Sequence, residues 1–239
     1  GSDIIVVHGI WQFHSVIGFI ISFLIKSKLI IVPHGMAAKY FDQFFLKKIK
    51  KAIYWALLER FIVSRAKSVI FLGKGELETA SAYFMRLSKN KSVVVPVEFK
   101  SSSSSYIMVP PKDNLILTYI GRDNDIKGLD SFIVELNSVS KTLNFPLRLN
   151  LVGPFSDNTI TKYKGLIDSF ELNYLGPVFG SKKYELLAYS SCLVVPSKYE
   201  SFCISALESL SIGCPVLLSD KVGIASDLDN SNYCYVYEL

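Results

Sequence analysis

Residues 194–220 read Val-Val-Pro-Ser-Lys-Tyr-Glu-Ser-Phe-Cys-Ile-Ser-Ala-Leu-Glu-Ser-Leu-Ser-Ile-Gly-Cys-Pro-Val-Leu-Leu-Ser-Asp. Leu193, Val194 and Val195 predict a buried strand that Pro196 stops. Ser201 is the expected N-cap of a helix in which Phe202, Leu207 and Leu210 recur at helical spacing. Gly213 and Pro215 close that helix, and residues 216–218 start the next strand.

Two carboxylates frame this unit. Glu200 precedes the expected helix and Glu208 lies two turns into it. At about 100° per residue, their spacing puts both on roughly one helical side. A helix N-terminus between them offers unpaired N–H groups and partial positive charge, which suit a phosphate. A carboxylate accepts paired hydrogen bonds from sugar hydroxyls, so the two could clamp the ends of a nucleotide-linked sugar. On spacing alone an exposed helix with two solvated Glu is the simpler reading.

Downstream of 114, strands expected at 115–120, 147–152 and 172–174 alternate with helices at 129–143, 159–169 and 182–189. That alternation implies parallel βαβ units and a doubly wound sheet. Gly121-Arg122 follows the first of these strands and Lys127-Gly128 opens the next helix. Glycines let backbone approach closely, and Arg and Lys neutralise a diphosphate, although such pairs are also common on surfaces.

Upstream, strands are expected at 3–7, 28–32, 67–72 and 92–95, with helices at 11–25 and 74–86. The longest apolar run, 16–25, is too short to span a bilayer and reads as a core helix. His8 and His34 each follow a strand and precede a glycine, where open α/β sheets bind ligands; a loop histidine is also an ordinary surface residue. Between 39 and 65, aromatic and aliphatic residues interleave with Lys47, Lys48, Lys50 and Lys51. This predicts one or two amphipathic helices, either packed with a solvated basic face or resting on an anionic membrane. The five serines at 101–105 and Pro110-Pro111 mark a linker, which divides the chain into domains at 1–99 and 114–239 around residues 100–113.

The 239 residues carry a net charge of +5, and half are hydrophobic. The mild basic bias fits an anionic small molecule or membrane surface and is too diffuse for nucleic acid. Cys192, Cys203, Cys214 and Cys234 lack C-x-x-C spacing and read as reduced core thiols of a cytoplasmic protein. With three scattered His, they form no metal-ligand cluster.

The segment 196–216 resembles the donor-site signature of family-4 retaining glycosyltransferases of the GT-B fold. Pro196-Ser197, Glu200, Phe202, Leu207-Glu208, Gly213 and Pro215-Val216 stand in its register. The sequence departs from it at Ser201 and Cys203, where the family often has glycine. Arg122 to Lys127 matches the step of the family's Gly-Arg…Lys-Gly motif, Leu175-Gly176-Pro177-Val178 resembles its loop against the nucleotide base, and Pro33-His34-Gly35-Met36 resembles its sugar-contacting histidine loop.

The resemblance implies two Rossmann-like doubly wound parallel-sheet domains facing a cleft. It implies transfer of a sugar, with retention, from a nucleoside-diphosphate sugar to a glycan or lipid-linked acceptor, as in polysaccharide assembly. It assigns Glu200 and His34 to the donor sugar near the reaction centre, Arg122 and Lys127 to the diphosphate, and Glu208 to the ribose. Gly121, Val178, Ser201, Phe202, Cys203 and His8 complete the expected nucleotide-sugar site. No cofactor or metal is expected. Family members also carry a βα region before the equivalent of Asp3 and closing helices after that of Leu239, so the resemblance further implies an internal fragment or a reduced form. The other reading is a non-catalytic nucleotide-sugar-binding or partner subunit of the same fold.

Overall fold

The computed structural model describes residues 4–38, 53–99, 109, 113–229 and 232–239. Most of the basic–aromatic stretch (39–52) and the serine–proline linker therefore lie outside the described residues. The chain divides into two compact units, Gly1–Glu98 and Phe99–Leu239.

In the first unit, β1 (Ile4–His8), β2 (Lys28–Val32), β3 (Ser68–Phe71) and β4 (Ser92–Val94) form a parallel sheet in that order. Helix α1 (Phe13–Leu24) connects β1 to β2. A π-helical turn, Trp55–Glu59, runs on into α2 (Arg60–Arg65) before β3. Ile31, Val69, Phe71, Ile62 and Phe84 lie at the centre of the core.

Two expectations are corrected here. Helix α1 is a core helix on one face only: Val16 and Phe19 pack against the core and Ser15 and Ser22 are buried, while Phe13, Phe23 and Leu24 are mostly exposed. Its position explains this, because α1 packs beside the edge strand β1, which itself exposes Ile4 and Val6. Among the described residues no further layer covers that side. The helix expected over 74–86 is two helices, α3 (Lys74–Thr79) and α4 (Ala82–Ser88). Ala80 and Ser81 between them are extended; Ala80 bridges Ala38 and the Ser81 N–H donates to the Ala37 carbonyl at 2.8 Å. Pairing with the segment after β2 thus interrupts the helix.

In the second unit the elements alternate strictly: β5 (Leu115–Ile120), α5 (Leu129–Ser140), β6 (Leu147–Val152), α6 (Asp157–Leu166), β7 (Glu171–Gly176), α7 (Ser181–Ala188), β8 (Cys192–Val195), α8 (Ile204–Ser211), β9 (Val216–Ser219), α9 (Ala225–Leu228) and β10 (Cys234–Tyr237). The strands pair in parallel in the order β10-β9-β8-β5-β6-β7. Near-continuous apolar runs such as Leu-Ile-Leu-Thr-Tyr-Ile are what a parallel strand covered on both faces requires. Tyr119, Ile133, Leu149, Leu151 and Leu193 are fully or almost fully buried. The chain builds outward from β5 through β6 to β7, then returns to β8 on the other side of β5. The strand order thus reverses between β5 and β8, and such a switch point, at the carboxyl ends of the strands, is where open α/β sheets bind ligands.

One buried charge in the first unit has a measurable consequence. Glu59, at the junction of the π turn and α2, is fully buried. The Ser15 hydroxyl donates to its Oε2 at 3.3 Å, and the Trp11 backbone N–H also bonds the carboxylate. Burial outweighs these bonds and pushes the carboxyl up to about 7. An unfolded glutamate titrates near 4.5. Below that pH both states hold the proton; between there and 7 only the unfolded state releases it. Stability therefore falls as pH rises across this window, by up to about 3 kcal/mol, and levels off above it. Urea unfolding of the wild type and Glu59→Gln at pH 4.5, 6 and 8 should show that decline in the wild type and its loss in the variant.

Candidate functional site

The loops after β5 and β8 meet at the switch point. After β5, Gly121 and Arg122 lead into a short 3-10 turn, Asp125–Lys127, capped by Asn124, whose side chain accepts from the Ile126 N–H at 3.0 Å. The Lys198 N–H of the second loop donates to the Ile126 carbonyl at 2.8 Å. Gly128 ends the turn at φ +67, and a Cβ there would collide with the Pro196 carbonyl oxygen. Glycine is needed for the conformation and for the close approach alike. Across this contact the Lys127 ammonium pairs with the Glu200 carboxylate, each side chain about three-quarters covered (25% and 22% exposed).

The geometry corrects the helical argument for the two carboxylates. Glu200 is extended, not helical: it bridges Val222, its N–H donates to the Lys221 carbonyl, and its own carbonyl accepts from the Gly223 N–H at 2.7 Å. These bonds hold the chain straight past Ser201, so α8 starts at Ile204 with Cys203, not Ser201, at its N-cap. Glu208 consequently lies one turn into α8, and the two glutamates do not share a helical face. The loop instead carries Glu200 onto Lys127. Glu208 pairs instead with Lys183, from the first turn of α7, at 2.5 Å.

Phe202 and Cys203 are buried beside this loop and Ser201 is half-buried. Cys203 occupies the left-handed region (φ 73, ψ 74), where a side chain is strained; its thiol contacts the Ser205 hydroxyl at 3.4 Å, and burial pushes its pKa up. All four cysteines are unpaired. Arg122 is exposed, and its guanidinium has no partner among the described residues. Gly121 packs over the Tyr119 hydroxyl, leaving no room for a Cβ. Val178 stands half-buried in the separate loop from β7 to α7. Thus Gly121, Arg122, Lys127, Glu200, Ser201, Phe202 and Cys203 lie in the loops after β5 and β8, with Glu208 one turn into the helix that follows and Val178 in the loop after β7.

His8 and His34 belong to the first unit, where the structure brings them together. Nδ1 of His8 lies 2.8 Å from Nε2 of His34, so one ring donates and the other accepts. Burial first, and His8 second, hold His34 below the usual imidazole value. His34 is left-handed (φ 51), followed by Gly35 (φ 77). This turn is held from below by the buried Glu76, which accepts from the Gly35 N–H and, at 2.7 Å, from the Leu72 N–H. His14 Nε2 sits 2.5 Å from the His8 carbonyl oxygen and fixes the other loop. Sequence reasoning missed Glu76, His14 and Lys183. An acid in a first helical turn, like Glu76, and one of two adjacent lysines, like Lys183, carry no local sequence signal that sets them apart from solvated residues.

The family profile described as "Glycosyl transferases group 1" matches residues 107–234, more than half of the chain, and the chain belongs to this family. D-inositol 3-phosphate glycosyltransferase of Gordonia bronchialis is 28% identical over 124 residues, which is 48% of this chain and 27% of that protein. The Rhodococcus erythropolis protein of the same name is 25% identical over 124 residues, covering 48% of this chain and 28% of its own length. The chain thus spans little more than a quarter of these curated relatives. Sucrose-phosphate synthase from Thermosynechococcus elongatus superimposes with a TM-score of 0.71 at 18% identity, over 99% of this chain and 60% of that one. Anabaena HepE in complex with UDP and glucose gives 0.70 at 15% identity, over 98% and 64%. Such neighbours establish the GT-B fold class, two parallel-sheet α/β domains.

Left-handed strain at Cys203 predicts an ordering of variants. Cys203→Val, with a branched Cβ, should lower stability by more than about 1 kcal/mol. Cys203→Gly, which relieves strain but loses thiol burial, should stay within about 1 kcal/mol of the wild type. Denaturant midpoints of the three proteins test the order.

Proposed function

We propose that the chain holds the donor site of a retaining glycosyltransferase that moves a sugar from a nucleoside-diphosphate sugar to a glycan or lipid-linked acceptor. The observation that carries the reading is the Lys127–Glu200 pair across the β5–β8 switch point, with an exposed Arg122 in the same loop as Lys127. A bound diphosphate takes over Lys127 and engages Arg122, so Glu200 is released to the donor sugar as charge develops on the leaving group. The bond from the anomeric carbon to the diphosphate oxygen breaks, the acceptor oxygen bonds that carbon on the same face, and its proton passes to the departing phosphate. Glu208 receives the ribose hydroxyls and Val178 lines the base. Arg122 and Lys127 supply the counter-charge, so no metal ion is required.

The names of related proteins support the donor class. HepE was solved with UDP and with UDP-glucose, and a lipopolysaccharide outer core galactosyltransferase shares the fold at a TM-score of 0.65 and 17% identity. Residues 53–65 support contact with an anionic membrane surface. Leu57 and Phe61 are exposed there, and the Arg60 guanidinium lies 4.5 Å from the Phe61 ring centroid.

Calorimetric titration of UDP and GDP into the wild type, Arg122→Ala and Glu208→Ala tests the donor site. Micromolar binding of one nucleotide is expected, weakened by about 1–3 kcal/mol in each variant. Incubation with the matching isotope-labelled nucleotide-sugar and acceptor then separates turnover from binding alone. Equal binding by all three proteins would refute the assignment.

A further inference from the structure

The donor-site reading leaves one substantially buried charge without a task. Lys183 stands in the first turn of α7, and its ammonium meets Oε1 of Glu208 at 2.5 Å; the side chains are only 20% and 15% exposed. An exposed pair of this kind contributes little, but a pair this well covered is different, because removing one partner strands the other charge away from water. The neighbouring Lys182 is exposed. The position of Lys183 is set by the backbone: its N–H donates to the carbonyl of Gly180, whose φ of +60 turns the chain from the β7 loop into α7. The Lys183 ammonium also lies 5.4 Å from the Tyr184 ring centroid, so its side chain is held on two sides.

We infer that Lys183 is a positioning residue for the nucleoside: by engaging Oε1 it fixes the Glu208 carboxylate so that Oε2 is presented to the ribose hydroxyls. This rests on the proposed role of Glu208. The arrangement parallels the other side of the crevice, where Lys127 holds Glu200. The two lysines differ in origin, since Lys127 comes from the loop that carries the diphosphate-binding arginine and Lys183 from the helix after the base-facing loop. Each carboxylate of the site thus has a lysine of its own, and a single polyanionic ligand does not face an unscreened pair of negative charges. Lys127 is displaced onto phosphate when the donor binds, whereas Lys183 stays on its glutamate.

Discrimination between ribose and deoxyribose reads this role directly. Affinities of UDP or GDP, whichever binds, are compared with those of its 2′,3′-dideoxy analogue for the wild type, Glu208→Gln, Lys183→Met, Lys183→Gln and Lys183→Arg. Thermal unfolding confirms which variants are folded, and the glutamine variant serves if the methionine variant is not. The wild type should favour the ribonucleotide by about tenfold or more, as expected for hydrogen bonds to a charged group. Glu208→Gln and Lys183→Met or Lys183→Gln should bring the ratio close to one, and Lys183→Arg should restore most of it. Loss of the ratio in Glu208→Gln with full retention in the folded Lys183 variants would overturn the inference and leave the role of Glu208 intact. Retention in Glu208→Gln would overturn the ribose assignment, and the inference with it.

Discussion

The parallel pairing of β5 with β8 is the constraint on which the candidate site depends. It joins strands separated by two βα units and sets their following loops side by side, where Lys127 can reach Glu200, 73 positions away. The loop contact is tight because Gly128 allows backbone to approach Pro196, and because Lys198 bonds the turn that ends in Lys127. Glu200 is then held from its other side by the stretch after β9, with Gly223 packed against Ser201. Three strand ends therefore determine the placement of one carboxylate. A rigid sheet with polar loops at one edge is how such folds build sites without placing charges in the core.

The first unit uses buried carboxylates for a related purpose. Glu76 grips the backbone below the His34 loop, and Glu59 grips the turn that follows His8. Both are removed from water and both have raised pKa values from that burial. Each satisfies backbone N–H groups that the irregular loops cannot bond among themselves. His8 ends strand β1, whereas His34 sits on a loop held by the Glu76 carboxylate, which accounts for its left-handed backbone.

Much of the sheet was legible in the sequence. The bounds of β2, β5 and β6 coincide with their apolar runs, because a parallel strand covered on both faces tolerates few polar residues. The motif residues of the second unit also converge, since βα loops at a switch point have little choice of location. Other features depend on tertiary contacts that local patterns do not encode. The start of α8 at Ile204 follows from pairing of Glu200 with Val222, 22 residues later. The break between α3 and α4 follows from Ala80 meeting Ala38, and the exposure of α1 from its place beside an edge strand. β10, whose Cys-Tyr-Val-Tyr run is not among the strands expected above, completes the sheet beside β9. Lys183 was invisible for the same reason: a lysine in a first helical turn reads as solvated until its glutamate is seen across the next helix.

The central claim is that the donor diphosphate binds between the ends of β5 and β8. A crystal structure of the chain with bound UDP or GDP tests it most directly. The account predicts the diphosphate within hydrogen-bonding distance of both Arg122 and Lys127, the ribose on Glu208, and the Lys127–Glu200 pair parted. A diphosphate bound away from that crevice, with Lys127 still on Glu200, would contradict it.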